Sequence, residues 1–145
     1  LAAAIIGHYH AILGDKAPIC VVVEPEEAAC LYESMKIGDN KPHNFPGELC
    51  TIMAGLACGD PSPIAWNVLA EAADMFISVP DYIAAEGMRM YAVPLKGDPF
   101  IVSGESGAVT LATLKYIALD PKLTVLKDKL RRRREDLSKL IVRYV

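Results

Sequence analysis

Two serines and a glutamate set among glycines, Ser103-Gly104-Glu105-Ser106-Gly107, form the most chemically loaded stretch of the chain. They fall where the apolar run Phe100-Ile101-Val102 stops and a helical pattern begins, so hydroxyls, backbone amides and a carboxylate converge there. In an open parallel α/β sheet, ligands bind where strands end and helices start. Small residues at that point let the backbone come close to such a ligand. The same residues have a second reading, in which Ser106 is simply the N-cap of the following helix.

Other reactive residue types are spaced less suggestively. Cys20, Cys30, Cys50 and Cys58 lack the close pairing that a zinc knuckle needs, and read as free thiols unless the fold joins a pair such as Cys30 and Cys58. His8 and His10 are two apart, face different sides of a helix and make a poor metal pair. Lys16, Lys36, Lys41 and Lys96 fall in loops or at helix ends. Asp39, His43, Asp60 and Asp81 are loop polar residues to which the sequence attaches no role.

The elements that must position these groups alternate in type. Residues 1–13 read as a small-residue helix, with Ile5, Ile6, Tyr9, Ile12 and Leu13 assigned to an apolar face and Gly14 as its stop. The start is uncapped, which raises the expectation that native sequence precedes Leu1. Residues 19–23 are a continuous β-branched run of the kind buried on both faces of a parallel sheet, ended by Glu24-Pro25. A helix over 26–36 follows, acidic in its first turn and closed by Gly38. Residues 38–47 read as a loop, and 51–59 as a small-residue segment. A helix over 64–73 with Trp66, Leu69 and Ala73 on one face leads to a strand over 75–79. Pro80-Asp81 opens a helix over 82–91, and Gly97-Asp98-Pro99 turns the chain into a strand over 100–103 and a helix over 106–119. Strand–helix alternation predicts an α/β fold with a parallel sheet flanked by helices.

Composition narrows the partners. With 145 residues, 52% hydrophobic and 23% charged, the chain can bury one domain core, and its formal charge of −3 gives no argument for nucleic acid. The apolar runs are too short for a bilayer span and the opening residues lack a signal-peptide pattern, so no membrane partner and a cytoplasmic location are expected. The stretch 122–139 is heavily charged, including Arg131-Arg132-Arg133-Arg134, yet Leu123, Leu126, Leu130, Leu137 and Leu140 recur at partly helical spacing. It reads as a solvated helix, and 131–145 as a charged tail of unassigned role beside a main unit over 1–130.

Five segments then occur in an order more specific than any one of them: Glu24-Pro25-Glu26-Glu27-Ala28-Ala29-Cys30-Leu31-Tyr32-Glu33-Ser34, Gly38-Asp39-Asn40-Lys41-Pro42-His43, Thr51-Ile52-Met53-Ala54-Gly55-Leu56-Ala57-Cys58-Gly59, Pro80-Asp81-Tyr82 and Ser103-Gly104-Glu105-Ser106-Gly107-Ala108-Val109. Together they resemble the diaminopropionate ammonia-lyase family, pyridoxal-phosphate enzymes of the tryptophan-synthase-β fold. The resemblance implies an α,β-elimination that converts a small amino acid, 2,3-diaminopropionate, to pyruvate and ammonia. It also implies a homodimer. Ser106 matches the hydroxyl residue that faces the pyridine nitrogen of the cofactor, with Gly107 beside it. Gly55 and Leu56 match the small-residue segment along the cofactor edge.

The resemblance assigns no catalytic residue to this chain. In relatives the Schiff-base lysine and the phosphate loop lie upstream of the position of Leu1, so the isolated chain is expected to be a C-terminal portion without activity. Glu24 and the Ala28 carbonyl match two positions that hold a cation in dehydratase-like relatives, but Cys30 stands at the third, where relatives have aspartate. No metal is therefore expected, and Glu24 reads as a strand-end carboxylate capping the next helix. Relatives carry a further strand after the helix ending near Leu130, for which 131–145 shows no matching pattern. A threonine or serine dehydratase-like lyase and a non-catalytic binding module remain as alternatives; the segment around Cys30 and the Gly38-Asp39 pair speak against the former.

Overall fold

The strand Met75–Val79 is buried along its whole length and divides the molecule into two packed layers. Side chains alternate across a strand. Met75, Ile77 and Val79 accordingly join one core, and Phe76 joins the other. Such burial on both faces is what a continuous apolar run in a parallel sheet achieves. The computed structural model describes residues 1–131 and 140–143.

Three parallel strands, β1 (Val21–Pro25), β2 (Met75–Val79) and β3 (Leu140–Arg143), lie in the order β1-β2-β3. Helices α1 (Ala2–Leu13), α2 (Cys30–Ile37) and α3 (Pro63–Ala72) have their core residues Ile6, Tyr32, Trp66 and Leu69 packed with Val22 and Phe76. On the opposite face α4 (Asp81–Ala92), α5 (Glu105–Leu119) and α6 (Thr124–Arg131) bring Ile83, Val109, Ile117 and Leu126 together with Met53. The expected parallel α/β architecture is present, and the predicted Trp66, Leu69 and Ala73 face is fully buried.

Several elements differ from the expectations. β1 begins at Val21, because the preceding Cys20 N–H is held at 2.7 Å by the Asp74 carboxylate and its carbonyl accepts the Asp74 N–H. The first turn expected of the second helix is a 3-10 turn over Glu26–Ala28, and α2 itself starts at Cys30. On α1 only Ile6 of the five assigned apolar residues is buried; Ile5, Tyr9, Ile12 and Leu13 are exposed, Ile12 by 65%. The small side of the helix docks instead, since a Cβ on Gly7 would stand 3.3 Å from the Val68 methyl of α3. A stripe of small residues lets two helices approach where large side chains would hold them apart.

The strand expected over 100–103 is absent. Those residues are largely exposed, Val102 by 87%, and the segment is tied to α4 through the Ile101 N–H on the Tyr91 carbonyl at 3.3 Å. A strand needs a ladder partner for its amides and carbonyls, and among the described residues none lies alongside. Conversely, β3 falls in the stretch expected to carry no further strand. Its Leu140-Ile141-Val142 run is too short to separate from a helical remnant by pattern alone. The expected helix is present as α6, with Val125 exposed and Leu126 buried in the core, while 132–139 lie outside the described residues. Among the described residues no helix is long and apolar enough to cross a membrane.

Helices α4 and α5 approach closely at Gly87, where an added Cβ would meet the Ala108 carbonyl oxygen at 2.1 Å. Beside it, Glu86 bridges the helices by accepting from Lys115 Nζ and from the Tyr116 hydroxyl. Gly87→Ala forces two backbones apart and is expected to lower stability by about 1–3 kcal/mol or more. Urea denaturation measures it; an unchanged midpoint would show that the helices separate at no cost.

Candidate functional site

The first turn of α5 presents Ser106. Gly104, extended at φ −75° and ψ 171°, is the N-cap, so Glu105 and Ser106 occupy the first two helical positions. Ser106 is therefore not the cap that one reading of the sequence makes it. Glu105 places a negative charge where helix amides point outward, as the helix dipole favours. The Ser106 hydroxyl turns away from its own helix, and Oγ accepts the Gly55 N–H at 3.0 Å across 51 residues of sequence.

Gly55 sits in a short 3-10 turn, Ala54–Leu56. A Cβ there would stand 3.0 Å from Ser106 Oγ, closer than side-chain carbons normally come, so glycine keeps the hydroxyl uncovered. Gly107 lies exposed on the same helical turn, where a Cβ would meet Ser103 Oγ at 2.9 Å. Leu56 is half-buried and packs against the core between the sheet and α5. Of the four residues expected at a cofactor edge, Gly55 and Ser106 are in direct contact, Gly107 adjoins them, and Leu56 anchors the segment inward.

With one lone pair of Ser106 Oγ engaged by Gly55, the hydroxyl proton is left to donate to an acceptor outside the chain. The pair lies on an open face. Clefts of about 540 Å³, lined by Glu26, Glu33, His43, Phe45 and Ser78, and about 460 Å³, lined by Met90, Leu95, Ile101, Leu111 and Lys115, are elsewhere.

Glu24 has a different task. Its Oε1 accepts the Leu31 N–H at 3.0 Å and its Oε2 the Tyr32 N–H at 2.7 Å, while the Cys30 thiol lies 3.7 Å from Oε1 as a further donor. First-turn amides have no partner within their own helix, and the carboxylate supplies one. This is the capping role expected of it. Burial pushes the Glu24 carboxyl up to about 7 against the opposing pull of these amides, and burial with the neighbouring carboxylate pushes the Cys30 thiol up to about 12. Such a thiol stays protonated and is no nucleophile at neutral pH. Ala28 is buried, and among the described residues no group of three or more His, Cys, Asp or Glu side chains is placed to hold a metal ion. All four cysteines are free, so Cys30 and Cys58 are not bridged.

Of the loop residues without an assigned role, Asp39 accepts from the Lys41 N–H at 3.0 Å and pairs with His43 at 2.9 Å, folding the 38–47 loop locally. The His43 pair holds the Asp39 carboxyl below its ordinary range. His43 N–H in turn donates to Ser34 Oγ at 2.8 Å, fastening that loop to α2. The Asp60 carbonyl accepts from the Cys58 thiol at 3.4 Å. Asp81 reaches much further. Its Oδ1 accepts from the Thr51 hydroxyl at 2.5 Å and its Oδ2 from the Ile52 N–H at 2.9 Å.

A family model described as pyridoxal-phosphate dependent enzyme matches residues 1–127. The chain is 41% identical over 130 residues to diaminopropionate ammonia-lyase of Escherichia coli, covering 90% of this chain and 32% of the relative. Among solved structures, that enzyme in complex with D-serine superposes with a TM-score of 0.77 at 37% identity, over 99% of this chain and 33% of the other. The same enzyme in complex with an aminoacrylate-PLP azomethine reaction intermediate gives 0.74 at 36%, over 99% and 34%. The chain thus spans about a third of the length of the curated relatives it matches.

The buried Glu24 makes stability depend on pH. Its carboxyl titrates near 7 when folded and near 4.5 when not, so between these values the folded chain holds the extra proton. Its contribution to stability is full below about pH 4.5 and is lost as pH rises through about 7. Glu24→Gln keeps an acceptor for α2 but removes the proton. Urea midpoints between pH 5 and 8 should then fall less steeply with pH than in the parent protein; parallel profiles would contradict the assignment.

Proposed function

The chain belongs to the pyridoxal-phosphate-dependent enzyme family, and from that premise we propose that it forms the cofactor-edge part of an ammonia-lyase acting on 2,3-diaminopropionate. The reaction is an α,β-elimination to pyruvate and ammonia. The observation that carries the reading is the Gly55–Ser106 contact, which joins two of the family-matched segments at the start of α5. The similarity to diaminopropionate ammonia-lyase supports the substrate, and the D-serine bound to that relative supports a small amino acid in general.

When bound, pyridoxal phosphate supplies the electron sink for the carbon that loses its proton. Ser106 would hold the ring nitrogen by a hydroxyl, Gly55 would let backbone approach the ring edge, and Gly107 would keep the helix turn free of side chain. A neutral hydroxyl does not stabilise a protonated ring nitrogen as a carboxylate does, and so moderates the sink. That suits loss of a β-substituent better than prolonged carbanion chemistry.

The proposal assigns this chain cofactor contacts and no Schiff-base lysine. Residues 1–130, with β3 added to their sheet, form the cofactor-binding part, and residues 1–145 alone turn over no substrate. The whole enzyme is read as a cytoplasmic homodimer.

In the full-length protein, Ser106→Ala should reduce turnover of diaminopropionate roughly tenfold, the value of about one hydrogen bond, and weaken retention of pyridoxal phosphate. Ser106→Thr should restore both. The cofactor's absorbance band and pyruvate release report them. Full activity in Ser106→Ala would remove the assignment, and a parent protein that deaminates threonine but not diaminopropionate would overturn the substrate.

A further inference from the structure

We propose that Asp81 is a positioning residue that sets which way the Ser106 hydroxyl points, by clamping the segment that carries Gly55. The inference rests on the cofactor reading above for its consequence, though not for its geometry. An aspartate in the first turn of a helix ordinarily serves that helix. Here the N-cap of α4 is Pro80, which has no side-chain oxygen, and both carboxylate oxygens of Asp81 reach instead to a segment about 30 residues earlier.

The clamp leads directly to the site. Thr51 Oγ1 donates to Asp81 and accepts the Met53 N–H at 3.1 Å, so a single hydroxyl ties the carboxylate to the next turn of chain. Met53 is fully buried in the core between the sheet and α5. From there the Ala54 N–H donates to the Ile52 carbonyl at 2.9 Å and the Leu56 N–H to the Met53 carbonyl at 2.7 Å. These bonds leave the Gly55 N–H aimed at Ser106 Oγ.

Direction is the consequence. A backbone N–H can only donate, so while Gly55 is held there Ser106 Oγ must accept from it, and the hydroxyl proton faces a partner outside the chain. If the segment relaxes, the hydroxyl is free to rotate, because Ser106 at the second helical position has no preceding helical turn to hold it. Donation to a ring nitrogen would then no longer be set in advance, with every atom of Ser106 still present. Asp81 touches neither cofactor nor substrate and acts through Thr51, Ile52 and Gly55.

The test uses the full-length protein with Thr51→Val, Asp81→Ala and Asp81→Asn. Thr51→Val keeps the start of α4 intact and removes the hydroxyl that joins Asp81 to the Met53 N–H, leaving the Asp81–Ile52 bond in place. Amide hydrogen exchange of the cofactor-free protein should quicken at Gly55 and Leu56 in Thr51→Val and Asp81→Ala, with β2 and α5 still protected. The dissociation constant for pyridoxal phosphate should rise roughly tenfold, and kcat at saturating cofactor should fall with KM for the amino acid little changed. Asp81→Asn, which retains one acceptor, should recover part of each loss. Protection lost evenly over β2 and α5 would mark a general stabilising role and overturn the proposal. So would quicker exchange at Gly55 with unchanged cofactor affinity. A parent protein without affinity for pyridoxal phosphate would overturn the proposed function itself, whereas cofactor binding identical in parent and variants would overturn only the role of Asp81.

Discussion

The fold depends on one strand being buried from both sides. β2 sends Met75, Ile77 and Val79 into one layer of helices and Phe76 into the other, and each layer is completed by side chains from elements far apart in sequence. Period-two alternation lets a five-residue strand serve two cores. The register that follows sets Glu24 beside Ser78, on the same face as Val22 and Phe76, which is the side where α2 packs. The capping of α2 by Glu24 is thus a consequence of where β1 docks on β2, not of α2's own residues. On the other face, Met53 enters the core and fixes the turn that bears Gly55.

Two carboxylates perform similar physical work at different places. Glu24 supplies acceptors to two helix amides, and Asp81 supplies them to a loop amide and a threonine hydroxyl. Each gives donors without a ladder partner somewhere to go, the general condition for folding irregular backbone against a core. They differ in surroundings. Glu24 is buried and its proton affinity rises accordingly, whereas Asp81 stands at a helix start beside a half-exposed segment. The result is a rigid strand-end on one side of the sheet and a fastened turn on the other, next to α5.

Much of the architecture was legible in residue patterns. The buried run at Met75-Phe76-Ile77-Ser78-Val79, the α3 face of Trp66, Leu69 and Ala73, and the parallel α/β class followed from periodicity. Misreadings occurred where local pattern met a non-local requirement. Phe100-Ile101-Val102 has strand composition, but composition provides no neighbour. The large residues of α1 looked like its docking face, but α3 takes the side that allows closer approach at Gly7. Leu140-Ile141-Val142 forms β3 because β2 has an edge open beside it.

At the candidate site the division is sharp. Residue types and order alone determined the family resemblance and pointed to Gly55, Ser106, Gly107 and the strand-end Glu24 as the residues to follow, since these reside in short contiguous motifs. The tertiary structure decided that the Gly55 N–H meets Ser106 Oγ, that the N-cap of α5 is Gly104, that Leu56 faces inward, and that Asp81 holds Thr51 and Ile52. The physical reason is range. Helix and strand periodicity is encoded between neighbours, whereas a hydrogen bond across 51 residues exists only once two layers have closed on a common strand.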